Sequence, residues 1–354
     1  MTMTAVYIIL AILIFGLLIA IHELGHFTAA KIFGVRVEEF ALGMGPILLK
    51  KQGGETLYTL RALPLGGFCA MTGEDEESDD PRAFTAQQPW KRAIILAAGA
   101  FMNFVLGFVF VVIIYASATA FRAPVIADFM DGCPYEGENA LMTGDRLLSI
   151  DGKRIYQLSD VSDFLSRGDG EYDIVVRRDG KRVTLEDFTL VPLEYPGEQS
   201  KMYGFYFGID EGTLFNKLRY SWNTTMEFAR WVWMGLEQIV EGQVTMDDMA
   251  GPVGIVNLMA ETGENAASTA DAVLDILYLG GFIAVNLAIM NLLPIPALDG
   301  GRIFLLIVTW IIESVTKKRL NPKYEGYIHA AGMVLLLTLM AMVMFNDIVR
   351  IITK

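Results

Sequence analysis

The chain has 354 residues, of which 53% are hydrophobic. Its mean hydropathy of +0.41 is too high for an ordinary soluble protein of this size. The formal net charge of −13 comes without a basic stripe, which excludes nucleic-acid binding. The two cysteines, Cys69 and Cys133, have no neighbouring Cys or His that would indicate a metal site or a nucleophile.

Four apolar stretches are long enough to cross a bilayer about 30 Å thick. They are 5–21, 93–121, 272–293 and 327–345. Basic residues concentrate between the first two stretches and between the last two, which predicts that these loops are cytoplasmic. The acidic segment 122–271 and both termini are then outside. Residues 303–312 are too few to span, so we interpret them as re-entrant or interfacial; a span there would break this topology.

These patterns predict an α-helical polytopic membrane protein with four transmembrane helices, a membrane-associated β-hairpin and an inserted outer α+β domain. Its parts are an N-terminal membrane part, a small domain, a segment of amphipathic interfacial helices and a C-terminal membrane part. Their predicted ranges are 1–122, 123–195, 196–271 and 272–354.

The first apolar stretch ends in His22-Glu23-Leu24-Gly25-His26. On a helix, residues four apart share one face, so both imidazoles can bind one zinc ion. Glu23 lies beside them and can take a proton from an activated water molecule. Such groups are costly at membrane depth unless they perform chemistry. The motif therefore predicts a metalloprotease centre within a membrane helix.

Residues 55–63 contain good strand formers, including Tyr58 and Leu60, and Pro64-Leu65-Gly66-Gly67-Phe68 follows as a turn. A short strand at 68–71 is expected to return and pair with the first. This hairpin either dips into the membrane or lies on the surface, and the sequence does not decide between the two.

The outer segment contains two Asp-Gly pairs, at 151–152 and 179–180, which are hairpin-turn signals. Strand patterns flank them at 146–150, 173–178 and 182–185, and a short helical pattern covers 159–166. Residues 213–240 then predict an amphipathic helix whose tryptophans favour the outer membrane interface. A fifth span is the alternative there, which the charged residues of the helix disfavour.

Two histidines need a third protein ligand if zinc is to keep one position for water. Asp299 follows the prolines that end the third apolar stretch, and a carboxylate there is costly unless it binds a cation. The first apolar stretch, which carries the histidines, and the third both run from outside to inside. They reach a similar depth in the membrane, so Asp299 can meet His22 and His26. The alternative is a solvated Asp-Gly turn.

The His22–His26 motif, the run from Asn291 to Gly301 and the domain between them resemble the site-2 protease family, in its bacterial members with a single PDZ domain. The segment 140–152 is similar to the PDZ signature of these proteases. The resemblance implies zinc held by His22, His26 and Asp299, with Glu23 as the base. It also implies substrate contacts at Asn286, Asn291, Tyr58, Leu60, Pro64, Gly66, Gly67 and Asn103. A structural role for Asn291, capping the broken helix, is the alternative.

The resemblance implies peptide-bond hydrolysis within the transmembrane segments of single-span proteins, such as anti-sigma factors or signal-peptide remnants. One Zn²⁺, the lipid bilayer and an upstream protease that makes a first outer cut are the expected cofactor and partners. The expected location is the bacterial cytoplasmic membrane. The PDZ-like domain is then a size filter or a peptide reader. A membrane-anchored PDZ scaffold with an inactive metal site and a metal transporter are the other classes considered.

Overall fold

The computed structural model describes residues 3–74, 78–243, 250–317 and 323–353. The helices are α1 Met3–Ile32, α2 Pro89–Tyr115, α3 Leu158–Arg167, α4 Leu214–Val240, α5 Pro252–Asn265, α6 Thr269–Asn291, α7 Asp299–Thr316 and α8 Lys323–Thr353. The strands are β1 Val37–Gly53, β2 Thr56–Met71, β3 Ala120–Phe129, β4 Arg146–Ile150, β5 Lys153–Arg154, β6 Glu171–Arg178, β7 Lys181–Thr189 and β8 Phe205–Glu211. The chain divides into two compact units, Tyr115–Thr224 and the remainder.

Four helices within the described residues are long and apolar enough to cross a membrane, which confirms the four predicted stretches. They are α1, α2, α6 and the part of α8 from Gly326 to Arg350. The predicted segment 303–312 lies inside the longer helix α7, and 213–240 matches α4. Neither α7 nor α4 belongs to this set of candidate spans.

Helices α1, α2, α5 and α6 share one apolar core. Tyr7, Ile14 and Leu18 of α1 pack with Phe110 of α2 and Ile276 of α6. Small residues bring the backbones close together, as they do in membrane helix bundles. A Cβ on Gly107 of α2, for example, would lie 3.0 Å from the carbonyl oxygen of Gly281 in α6. This core fixes α1 and α6, whose ends lead to the predicted metal ligands.

The predicted pairing of 55–63 with 68–71 is wrong. Both segments belong to β2, and the β1 segment 39–42 lies between them, pairing with 57–60 on one side and 67–70 on the other. The hairpin turn is at Gly53–Thr56 instead, and the second half of β1 pairs with 56–61. β1 bends where Gly43 and Gly45 take positive φ values of 84° and 82°, which glycine adopts without strain.

The unit Tyr115–Thr224 is built on a sheet with the strand order β7-β6-β4-β3-β8, and β5 pairs with β4. The two Asp-Gly pairs form the predicted turns, with positive φ at both residues of each pair. The predicted range 123–195 lies within this unit. Sequence reasoning missed β8, which pairs with β3 along the sheet edge.

Candidate metal centre

Helix α1 presents two imidazoles to the same point, as the spacing of four residues predicts. The Nε2 atoms of His22 and His26 lie 3.1 Å apart, and the two ring planes are nearly perpendicular, at 84°. His26 is buried. The chain makes room for the rings with a glycine on α2: a Cβ on Gly99 would lie 2.4 Å from His26 Nε2.

Asp299 reaches the same point from a different part of the chain. Helix α6 ends at Asn291, a short turn follows, and Asp299 is the first residue of α7. Its Oδ2 lies 3.2 Å from His22 Nε2 and 3.4 Å from His26 Nε2. The structure therefore brings together the three residues that the sequence predicts as ligands, with His22, His26 and Asp299 offering atoms within 4.8 Å of one another.

The donor set fits a zinc ion. Asp299 Oδ2 is buried and has no hydrogen-bond partner among the described residues, although two ring nitrogens face it. Two imidazole nitrogens and one carboxylate oxygen are a ligand set of catalytic zinc sites, which keep a fourth position for water or substrate. A cation between these three atoms would compensate the buried charge of the carboxylate.

The other ring nitrogens are held by groups on α2. His26 Nδ1 lies 2.8 Å from the carbonyl oxygen of Ile95, so Nδ1–H donates to that oxygen and Nε2 keeps its lone pair for a metal. His22 Nδ1 lies 3.3 Å from the side-chain amide of Asn103, whose Oδ1 is buried without a partner among the described residues. With this amide turned, Oδ1 accepts the Nδ1 proton of His22 and fixes the same tautomer.

Glu23 is a residue of α1, and its side chain lies against β2 at Gly67. A Cβ on Gly67 of β2 would lie 3.1 Å from Glu23 Cγ and 3.2 Å from a methyl carbon of Ile19. The Gly67 segment therefore packs directly against α1, beside the residue predicted to be the base. A Cβ at this position would have to displace Glu23 or Ile19 by a few tenths of an ångström.

The remaining predicted substrate residues lie on α6 and on β2. Asn286 and Asn291 lie on the last turns of α6, and both are half-buried. Tyr58 and Leu60 are separated from Gly67 by the β1 segment 39–42. The ring of Tyr58 lies 6.0 Å from that of Phe27, the residue after His26 on α1. Gly66 lies at a bend of β2 with φ of 86°. Pro64 belongs to the β2 backbone, and the prediction for its side chain lies outside what the structure describes.

Sequence reasoning named Asn103 of α2 as a substrate contact, but it missed that Asn103 and other residues of α2 support the two imidazoles. Gly99 and Ile95 have no signal of their own as site residues. Gly25 lies inside the histidine motif, and a Cβ there would lie 2.3 Å from the carbonyl oxygen of Ala98. A glycine between two histidines on a membrane helix is a signal for a close helix neighbour, and it points to α2.

The chain is similar to known peptidases. A family model described as Peptidase family M50 matches residues 10–339. The chain belongs to peptidase family M50. A Clostridium perfringens protein named "Putative zinc metalloprotease" is 36% identical, over 97% of this chain and 98% of the relative. The regulator of sigma-W protease RasP of Bacillus subtilis is 27% identical, over 97% of this chain and 98% of its own.

A zinc metalloprotease RasP of Bacillus licheniformis is 28% identical over 97% of this chain and 99% of the relative. Membership of the M50 family makes the chain a metalloprotease of the site-2 type. The relatives' names support zinc as its cofactor, in agreement with the donor set. The four apolar helices make this M50 peptidase an integral membrane protein.

Proposed function

We propose that this M50 peptidase hydrolyses peptide bonds within the transmembrane segments of single-span membrane proteins. The observation that carries the proposal is the convergence of His22, His26 and Asp299 at one point. The two histidines lie on a helix that is long and apolar enough to span a membrane, and Asp299 follows closely on the end of another. A hydrolytic centre in this position is suited to substrates that lie in the bilayer.

The residues of the chain divide the chemistry between them. When bound by His22, His26 and Asp299, zinc supplies Lewis acidity that activates water and polarises the scissile carbonyl. Glu23 takes the proton of the attacking water and passes it to the nitrogen of the leaving amine. Ile95 and Asn103 keep the two imidazoles in the tautomer that binds through Nε2.

The edge of β2 is suited to holding an unwound substrate. A helical peptide bond is shielded by its own turn, so the substrate must be extended before it is cut. The β2 segment 67–70 pairs with β1 on one side and has no strand partner on its other side within the described residues. An extended peptide added there would lie beside Glu23 and be held by backbone hydrogen bonds. Asn286 and Asn291 would satisfy freed backbone groups of the substrate.

The unit Tyr115–Thr224 is proposed to be a PDZ-like domain on the outer side of a bacterial cytoplasmic membrane, where both termini also lie. As a size filter, it would exclude substrates until an upstream protease has trimmed their outer domains. The alternative is a peptide-reading role, for which a cavity of about 390 Å³ within this unit, lined by Phe121, Arg122, Ser159 and Tyr220 among others, is a candidate contact surface. Trapping substrates with large and small outer domains on a Glu23→Gln variant, with and without this unit, separates the two roles.

The experiment that tests the proposed reaction uses purified protein and a single-span substrate in lipid nanodiscs. Wild-type protein is expected to contain one zinc ion and to cut within the apolar segment, as located by mass spectrometry of the fragments. The Glu23→Gln variant should keep the zinc and lose cleavage. Glu237→Gln, at an exposed position on α4, is the matched control and should cut normally. Cleavage by Glu23→Gln, or cuts confined to the outer domain, would refute the proposal.

A further inference from the structure

The third histidine of the chain contacts the turn that leads to Asp299. His329 lies on α8, and its Nδ1 accepts a hydrogen bond from the backbone N–H of Ala297 at 3.2 Å. Ala297 is two residues before Asp299 and lies in the turn between α6 and α7. The contact thus joins the last membrane helix to the segment that carries the third predicted zinc ligand.

The turn has a backbone conformation that needs external support. Ala297 has φ of 80°, in the left-handed region that residues with a Cβ avoid. Such conformations persist only where surrounding contacts hold them, and they cluster at functional sites. The N–H that His329 binds belongs to this same residue, so the hydrogen bond acts directly on the strained peptide.

A second contact of α8 lies on the same face, three residues further along. A Cβ on Gly332 would lie 2.4 Å from Pro296 Cβ and 2.8 Å from the Pro296 carbonyl carbon. The α8 backbone therefore lies directly on Pro296, with His329 beside it on Ala297. Below the turn, a Cβ on Gly301 of α7 would lie 2.1 Å from the carbonyl oxygen of Ile295. The turn is held from both sides.

We propose that His329 is a positioning residue for the zinc ligand Asp299, an inference that rests on the proposed function of this centre. By holding the Ala297 peptide, His329 sets the direction in which Asp299 enters the first turn of α7. The position of α8 and the geometry of the ligand set are thereby linked. Without the hydrogen bond, Ala297 relaxes from positive φ, and the Asp299 carboxylate moves away from the imidazoles.

The test measures zinc affinity by chelator competition, together with kcat and KM, on full-length variants. His329→Leu removes the acceptor and is expected to bind zinc about tenfold more weakly, in the range of residues that orient metal ligands. Its kcat should fall while KM is unchanged. His329→Asn keeps an acceptor close to the Nδ1 position and should recover most of the affinity. Tyr327→Leu, an exposed residue on the same helix, is the control and should behave as wild type.

Gly332→Ala provides a second route to the same turn, because its Cβ must displace Pro296, and it should also weaken zinc binding. It decides the question if His329→Leu does not fold. Wild-type zinc affinity in His329→Leu, or in Gly332→Ala where His329→Leu does not fold, would overturn the inference. Equal losses in His329→Leu and His329→Asn would overturn it as well, because a packing role alone then explains them. Wild-type protein that fails to bind zinc or to cut would refute the proposed function instead.

Discussion

Replacing Gly99 with alanine tests how tightly α2 packs against the two histidines. The added Cβ would lie 2.4 Å from His26 Nε2 and 2.8 Å from His22 Cε1. Carbon and nitrogen atoms in contact lie about 3.5 Å apart, so the His26 ring must move by about 1 Å. Zinc–ligand distances tolerate only about 0.2 Å. The 1 Å movement of the His26 ring exceeds this tolerance, and a misplacement of about 1 Å lowers the rate of peptide hydrolysis about 100-fold.

The assay for Gly99→Ala measures zinc content and cleavage of the single-span substrate in nanodiscs. We expect loss of zinc at equal chelator concentration and a kcat about 100-fold lower. Gly16→Ala is the matched control, because it is also a helical glycine and a Cβ there has nothing within 4 Å. Its zinc content and activity should equal those of wild type. Normal zinc content in Gly99→Ala would refute the close packing of α2 on the ligands.

Three further changes test other contacts. Asn103→Leu removes the partner of His22 Nδ1 and should weaken zinc affinity about 10- to 100-fold in chelator competition. Asp347→Ala leaves the backbone N–H of Gly254 without its acceptor and should lower the free energy of unfolding by about 1–3 kcal/mol, seen in thermal melts. Burial raises the pKa of Asp210, but hydrogen bonds from Arg146 and Tyr220 outweigh it and hold the pKa below its usual value. The unfolded chain then binds this proton more tightly, so stability present above about pH 4 falls at lower pH. The hydrogen-exchange protection factors of β3 and β8, which correct for the intrinsic pH dependence of exchange, should fall with it.

Each of these expectations has a control variant or an outcome that would contradict it. Asn103→Asp keeps an acceptor for His22 and should retain zinc better than Asn103→Leu; equal losses would contradict the tautomer argument. An unchanged melting temperature in Asp347→Ala would mean that the bond to Gly254 adds nothing to stability. In Asp210→Asn, the protection factors of β3 and β8 should be lower than in wild type at pH 7 and should depend less on pH. The same acid response in both proteins would place the responsible group elsewhere.

The helical part of the fold is predictable because its signal is local. An apolar run of sufficient length predicts a membrane helix whatever its neighbours are, and all four stretches match candidate spans. The Asp-Gly turns are also local, since both residues must take positive φ. The ligand set followed from the histidine spacing and from a carboxylate placed just after a broken membrane helix.

The pairing of β1 with β2 was not predictable in the same way. Gly43, Gly45 and Pro46 interrupt the strand pattern of β1, so the sequence did not predict a strand at Val37–Gly53. The chain does reverse direction near Gly66, but which segment fills the space between the two halves of β2 is a long-range choice. Local alternation of residues does not encode it.

The supporting residues of the metal centre are hidden for a similar reason. Gly99 matters because of what lies 2.4 Å from its missing side chain, and Ile95 contributes only a backbone carbonyl. His329 is 30 residues from Asp299 along the chain and meets its turn only after α8 has docked. The metal ligands and the base can be predicted from residue type and spacing. The residues that position them can be identified only from the tertiary packing.

The zinc K-edge absorption spectrum of the purified protein tests the central claim most directly. A centre built from His22, His26 and Asp299 should show two imidazole nitrogens at about 2.0–2.1 Å from the zinc and oxygen ligands at about 2.0–2.2 Å. In Asp299→Ala, the carboxylate oxygen should be lost from the spectrum or the zinc should be lost altogether. A sulfur ligand at about 2.3 Å, or a spectrum that Asp299→Ala leaves unchanged, would contradict a centre built from His22, His26 and Asp299.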